Sequence, residues 1–343
     1  MATTTREQQP AGEEFRPRTR PALARDEVRR LSKLSPLRST LSLLQTWGLL
    51  IASFYLAHRF PHPLVFAAAV LCIVGQQHAL AILAHQSAHY RMYETRWLND
   101  LVGRICGMPL GVSMITYRVI HRIHHNHLYS AIDPDLALMA GYPRGRAYLV
   151  RKLLKDLVGI TTVKNYLYFV GKTSASAASE GNGDRGPLDD TSDALQRAAR
   201  RDRWLVLLIA LSSISVVILT GWWKAYLLLW VVPLVTLLQA VLRLRAICEH
   251  GAVVDTSDAL RAARTTLVPW YWRWFLFPHD MNFHVEHHLY PSVPHYRLAE
   301  CHRAMVAAGA LDGAEVVPTL SQTLAKIFRD PTYAWTAPNL RNC

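Results

Sequence analysis

At 343 residues, 51% of them hydrophobic, the chain is too apolar for a disordered protein and long enough for one large domain or two small ones. Its five cysteines (Cys72, Cys106, Cys248, Cys301, Cys343) form no C-x-x-C pair, which argues against a disulfide scaffold and a cysteine-ligated zinc. Lys and Arg outnumber Asp and Glu by 38 to 25, a net charge of +13, yet no helix-turn-helix, zinc-finger or aromatic RNA-binding motif accompanies the arginines, so a membrane surface rather than nucleic acid is the expected partner.

Residues 1–37 mix Thr, Gln, Pro, Glu and Arg without periodicity, which predicts a disordered basic tail. Four stretches carry no Asp, Glu, Lys or Arg: 41–57, 64–84, 204–220 and 225–242. A helix crosses the hydrocarbon core with roughly 20 apolar residues, about 17 to 25, so each stretch is long enough to span a bilayer. A cleaved signal peptide is the alternative for 41–57, but no small-residue cleavage pattern follows it and a second span begins within seven residues. Between the pairs, 146–172 sets Leu149, Val150, Leu153, Leu154, Leu157 and Val158 beside Arg151, Lys152 and Lys155, the pattern of an amphipathic helix on the cytoplasmic membrane surface. The Ser-, Gly- and Asp-rich stretch 174–192 predicts a flexible loop before the third span. The aromatic run 270–275 suits an interfacial anchor, the commoner use of such residues, and also the wall of an apolar channel. The functional domain is expected over 38–305, with 306–343 a C-terminal tail.

Six residues, 58–63, join the first two spans and four, 221–224, join the last two, so each pair reads as a transmembrane hairpin. With both turns on one side, 36 of the 38 basic residues lie on the other, Arg59 and Lys224 being the exceptions. Basic residues near spans favour the cytoplasm. The expected fold is therefore all-α and integral to the membrane: two hairpins capped by a cytoplasmic helical domain, with both termini cytoplasmic. The Ala- and Arg-rich composition suggests a bacterial inner membrane.

Nine of the sixteen histidines cluster. His85 and His89 share a helical face at the end of the second span; His121, His124 and His125 repeat that face at spacings of three and four, and so do His284, His287 and His288. His250 follows Glu249 just after the fourth span. All nine fall on the cytoplasmic side of a topology derived without them. Imidazole suits iron, zinc and copper, and nine such ligands exceed the needs of one ion, so two metal ions with four or five nitrogens each are expected. The zinc-peptidase spacing H-E-x-x-H is missing, and the Glu-x-x-His pattern of carboxylate-rich bundles matches poorly. For His58, His62, His78, His127, His279, His295 and His302 the expectation is an ordinary hydrogen-bonded or exposed side chain. His78, seven residues before His85 and so ~10 Å deeper, is too deep for the same metals and is weighed as a mark of a substrate path. A metal transporter would line its spans with histidines or acids, whereas only His78 lies within one.

The run from Asn282 through His284, Glu286, His287, His288 and Pro291 to Pro294, Arg297 and Leu298 closely resembles the third histidine box of the membrane fatty acid desaturase superfamily. The second box, followed by Asp133-Pro134-Asp135, resembles that family's H-x-x-H-H and D-P-D arrangement. The resemblance covers roughly residues 40–305. It implies a histidine-ligated di-iron centre between four membrane helices and a cytoplasmic cap, with all nine histidines as ligands and His250 the isolated one. Asp133, Asp135, Glu249, Glu286 and Asn282 are the candidates to orient them. The two aspartates also suit helix-start caps. One departure is Gln86, where the family often has Asp: a neutral amide cannot orient as a carboxylate does, so support for His85 comes from elsewhere or metal affinity is weaker.

The implied reaction is O2-dependent removal of two hydrogens from neighbouring methylenes of an acyl chain. The substrate would be an acyl-CoA, an acyl-carrier-protein thioester or a membrane lipid, drawn to the basic face. No fused cytochrome b5-like or ferredoxin-like domain is evident, so electrons are expected from a separate carrier of either type. The rivals on the same scaffold are a hydroxylase or ketolase, and a desaturase of a non-fatty small metabolite.

Overall fold

The structure is a computed structural model that describes residues 23–169, 188 and 191–330. Its first helix, α1 (Arg25–Leu31), lies inside the stretch expected to be a disordered tail. Leu23 and Leu31 are buried against Met281, Tyr290, Val293 and Leu298, while Arg297 Nη1 donates to the Arg30 carbonyl at 3.0 Å. The expectation for 23–37 is thereby corrected: two apolar side chains, too few to show as a periodic pattern, dock the segment against residues 250 or more positions away. The rest of that stretch, 1–22, is outside the described residues.

Among the described residues, four helices are long and apolar enough to cross a membrane: Pro36–Arg59, Pro63–Ala88, Asp193–Leu219 and Trp223–His250. The first two are α2 (Pro36–Arg59) and α3 (Pro63–Ala88), each begun by a proline at its first position, where no N–H is needed. α2 turns Leu44 and Ile51 outward, 63% and 67% exposed, while α3 is buried along most of its length as the central helix. Next come α4 (Arg96–Gly107), α5 (Met114–Asn126) and the single turn α6 (Leu136–Met139). The expected amphipathic helix over 146–172 is two helices, α7 (Arg146–Leu157) and α8 (Thr162–Phe169). Gly159, at φ +76°, turns the chain between them, a left-handed conformation that glycine adopts without steric cost. Val150, Leu154 and Val158 of this region are exposed, as a face resting on lipid requires. The expected loop 174–192 falls mostly outside the described residues.

The third span, α9 (Asp193–Leu219), is capped by Ser192, whose Oγ accepts the Leu195 N–H at 3.3 Å. The fourth is broken: α10 (Trp223–Tyr226), a π-helical turn Leu227–Val231, α11 (Val232–Val235) and α12 (Leu237–His250). Pro233 interrupts the backbone ladder. Side chains bond carbonyls around the break: Gln77 Nε2 donates to Trp230 O at 2.9 Å, Gln239 Nε2 to Leu234 O at 2.9 Å, and Thr162 Oγ1 to Val235 O.

Beyond α12 the chain forms β1 (Thr265–Thr266), α13 (Trp270–Phe275), α14 (His284–Leu289), α15 (Leu298–Ala307), β2 (Val316–Val317) and α16 (Leu320–Phe328). β1 and β2 pair in parallel and make the only sheet among the described residues. The C-terminal stretch 306–330, expected as a tail, is thus a packed element. Arg264, 1% exposed, explains why: its guanidinium donates to the Cys248 and Ala252 carbonyls at 3.0 and 2.9 Å and to Glu315 Oε1 at 3.1 Å. Residues 331–343 are outside the described residues. In α13 the outer aromatics Trp270 and Tyr271 are exposed, as an anchor requires, whereas Trp274 and Phe275 pack against Gly75 of α3.

One buried carboxylate ties the third span to the helix that carries the second histidine cluster. Asp202 of α9, 1% exposed, accepts from Ser113 Oγ at 3.0 Å, Ile115 N at 3.1 Å and Arg104 Nε at 2.6 Å. Asp202→Ala strands these donors and is expected to cost about 3 kcal/mol, read as a lower melting temperature of the purified protein in detergent. Asp202→Asn, which keeps the acceptor but not the charge, should lose less.

Candidate metal centre

Four helices meet at one end of the bundle. α3 brings His85 and, just past its last residue, His89; α5 brings His121, His124 and His125; α12 ends on His250; α14 is built of His284, His287 and His288. Ser113 caps α5, its Oγ accepting the Thr116 N–H, and the spacing of three and four then turns the three imidazoles of α5 inward together.

The nine rings form two adjoining groups. In the first, one ring nitrogen each of His85, His89, His121, His125 and His287 lies within 4.8 Å of all the others. His124, His250 and His288 form the second on the same criterion, and His284 stands beside it, its Nε2 2.9 Å from that of His250 and 3.2 Å from that of His288. His288 joins the two groups, its ring stacked on His125 with centroids 4.3 Å apart.

The donor chemistry fits metal cations. His124 Nδ1 donates to Asp133 Oδ1 at 3.0 Å and His250 Nδ1 donates to the Ala262 carbonyl at 3.2 Å, so each presents its Nε2 lone pair. Converged lone pairs from different helices repel one another unless a cation takes them. Burial, reinforced by the neighbouring imidazoles, holds His121, His125, His284, His287 and His288 well below the usual histidine range. Burial, with Arg91 and Arg118, takes His89 down to about 3. Neutral imidazole is the form that binds a metal. His124 departs from this pattern: burial acts to lower it, but the carboxylates of Asp133, its hydrogen-bond partner, and of Asp135 and Glu249 together outweigh burial and raise it to about 9.

The candidate orienting residues divide. Asp133, fully buried, accepts from His124 Nδ1, from Tyr129 N at 2.8 Å and from Asp135 N at 3.0 Å, which makes it a turn-builder and an orienter at once. Asp135 Oδ2 stands 3.6 Å from His124 Nδ1. Glu249 Oε1 accepts from Arg245 Nε at 2.7 Å and lies 3.5 Å from His284 Nδ1 without hydrogen-bond geometry. Glu286 turns away from the rings to accept from His302 Nδ1 and Thr265 Oγ1, and Asn282 Nδ2 donates to the Thr266 carbonyl at 3.0 Å.

Gln86 also turns away: its Oε1 accepts the His295 backbone N–H at 3.2 Å, tying α3 to the segment after the third cluster. That leaves His85 Nδ1 buried with no hydrogen-bond partner among the described residues. The other histidines stay outside the centre. His78 donates from Nδ1 to the Phe275 carbonyl at 3.0 Å, while His279 and His295 face each other with centroids 5.0 Å apart. Reasoning from sequence missed His302 as the partner of Glu286 and Arg245 as that of Glu249; only the second had a local signal, a spacing of four on one helix.

A cavity of about 170 Å³ reaches His121. Tyr117, Asp135 and Arg245 line it near the rings, and the remainder is lined mainly by apolar side chains such as Ala81, Ala84, Leu110, Leu234 and Leu238, with the amides of Asn165 and Gln239. Tyr117 lies parallel to His121, the planes 8° apart and the centroids 5.6 Å apart.

Comparisons with known proteins point the same way. The family profile described as fatty acid desaturase matches residues 61–319. The chain is 25% identical over 267 residues to the sn-1 oleoyl-lipid 12-desaturase of Anabaena variabilis, spanning 74% of this chain and 69% of that protein. It is 24% identical over 282 residues to the endoplasmic-reticulum acyl-lipid omega-3 desaturase (cytochrome b5) of Arabidopsis thaliana, spanning 79% and 71%. It is likewise 24% identical over 239 residues to the sn-1 acyl-lipid omega-3 desaturase (ferredoxin) of Nostoc sp. (strain 36), spanning 66% and 63%.

Proposed function

The chain belongs to the fatty acid desaturase family, and from that premise we propose that it is an O2-dependent acyl-lipid desaturase of the membrane whose nine clustered histidines hold two irons. The observation that carries this reading is the junction of the two histidine groups beside an apolar cavity that reaches His121. His85, His89, His121, His125 and His287 are assigned to one ion, and His124, His250, His284 and His288 to the other. Bound there, the irons supply the activation of O2 that an unactivated C–H bond requires.

The chain's own residues do the rest. The apolar cavity wall receives methylenes and keeps water from them. Tyr117 holds the plane of the His121 ring, and Asp133 keeps the His124 proton on Nδ1. Relatives named for acyl lipids, ferredoxin and cytochrome b5 support a lipid substrate and a separate donor of one of those two kinds. The basic excess opposite the two short turns supports two hairpins with the centre and both termini cytoplasmic, in a bacterial inner membrane.

Lipid profiling of a host expressing the protein with a ferredoxin or cytochrome b5 system tests the reading. The expected result is acyl chains lighter by two hydrogens. Chains heavier by one oxygen would make it a hydroxylase, and an unchanged profile would overturn acyl chemistry.

A further inference from the structure

A second, larger apolar cavity of about 620 Å³ lies between α2, α9 and the π-helical part of the fourth span. Trp47, Phe54, Ile209, Trp222 and Trp230 are among its walls. Ile51 and Tyr55 at its edge are 67% and 61% exposed, so it opens toward the lipid side of the bundle. Among the described residues, only Tyr166 and Leu234 line both this cavity and the one that reaches His121. The two apolar cavities thus adjoin at these two side chains.

Both side chains are held in place. Tyr166 Oη donates to the Leu110 carbonyl at 2.9 Å, and its ring lies on the bare backbone of Gly111, where a Cβ would come within 2.5 Å of Cε1. α8, which carries it, is fastened to the fourth span by Thr162 on the Val235 carbonyl and by Asn165 Nδ2 on Gln239 Oε1 at 2.8 Å. Leu234 follows Pro233 at the break in that span, so its position is set by an interrupted helix. π-Turns and broken helices gather at functional sites more than elsewhere.

The inner cavity has a direction. His121 and the charged residues Asp135 and Arg245 stand at the metal end, whereas at the far end Leu110, Tyr166 and Leu234 are joined only by the neutral amides Asn165 and Gln239, which are bonded to each other. An acyl chain carries its polar group at one end and a methyl at the other, so the far end suits the methyl. We propose that Tyr166, with Leu234, is the stop against which the methyl end of the acyl chain rests. It thereby determines how many carbons separate that end from the metals and where the double bond is placed. This rests on the acyl-desaturase reading above.

The test is to express wild type, Tyr166→Ala, Tyr166→Phe and Leu234→Ala and to locate the double bond in the host's acyl chains by mass spectrometry, with iron per chain measured on each purified protein. Wild type is expected to give one dominant carbon count from the methyl end. Tyr166→Ala, which opens the inner cavity into the outer one, is expected to add products with larger counts while keeping wild-type iron, and Leu234→Ala to shift in the same direction. Tyr166→Phe keeps the ring and should keep the wild-type position. An active Tyr166→Ala with the wild-type position unaltered, or a Tyr166→Phe that broadens the products as much as Ala, would overturn the stop. If Tyr166→Ala fails to accumulate, Leu234→Ala decides by the same criterion. Wild-type protein that makes no double bond would instead overturn the underlying function, so the two failures are told apart.

Discussion

His288→Ala should lower acyl desaturation by more than about 100-fold and leave the protein in the membrane. Loss of a residue that merely orients a metal ligand typically costs 10- to 100-fold, and removal of a ligand costs more. His288 is the most informative of the nine because it stands where the groups meet, stacked on His125 of the first and within 3.2 Å of His284 beside the second. Its loss removes a nitrogen from one ion and the packing that holds a ligand of the other. Wild-type protein is expected to hold about two irons per chain, and the variant to fall clearly below that by elemental analysis. The spans do not depend on this ring, since His288 lies outside all four of them, so membrane fractionation should be unaltered. A variant with full iron and activity would remove His288 from the ligand set.

Asp133→Asn should have the second largest effect, a loss of about 10- to 100-fold in activity or in iron affinity. Asn matches Asp in shape, so the turn that carries Tyr129 and Asp135 survives in outline. The effect works through one proton. Asp133 accepts from His124 Nδ1 and keeps the ring's hydrogen there, leaving the Nε2 lone pair free. An amide NH2 turned toward Nδ1 favours the opposite tautomer, with the hydrogen on Nε2 and no lone pair to offer. Iron titration of purified protein separates this from simple unfolding: the variant should fill at higher iron concentration while melting near the wild-type temperature. Unaltered iron uptake would reduce Asp133 to a residue of the turn.

Much of the arrangement is legible in local pattern. The four spans show as long stretches free of charge, and each is helical. The three clusters show as histidines at spacings of three and four, and each lies on, or at the end of, a helix that turns them to one face. Gln86 shows where local reading stops. Its place after His85 suggests a weakened version of an orienting carboxylate, but the side chain points to His295 and fastens two segments 209 residues apart. α1 and the segment 306–330 carry too few apolar residues in period to predict packing, yet Leu31 and Ile327 are fully buried and Glu315 completes the bonding of Arg264 beside the His250 end of α12.

From the sequence alone come the number of spans, the nine histidines and the family resemblance, because hydropathy and helical periodicity are properties of neighbouring residues. Only the tertiary structure decides that the clusters meet, in two adjoining groups. The closest ring nitrogens of His125 and His287 are 3.2 Å apart and 162 residues distant in the chain, and a contact over that separation depends on how whole helices pack. The same holds for the fourth span. Pro233 is visible in the sequence, but Gln77 and Thr162, which bond the Trp230 and Val235 carbonyls on either side of it, come from other helices. Leu234, at that break, lines both apolar cavities together with Tyr166 of another helix.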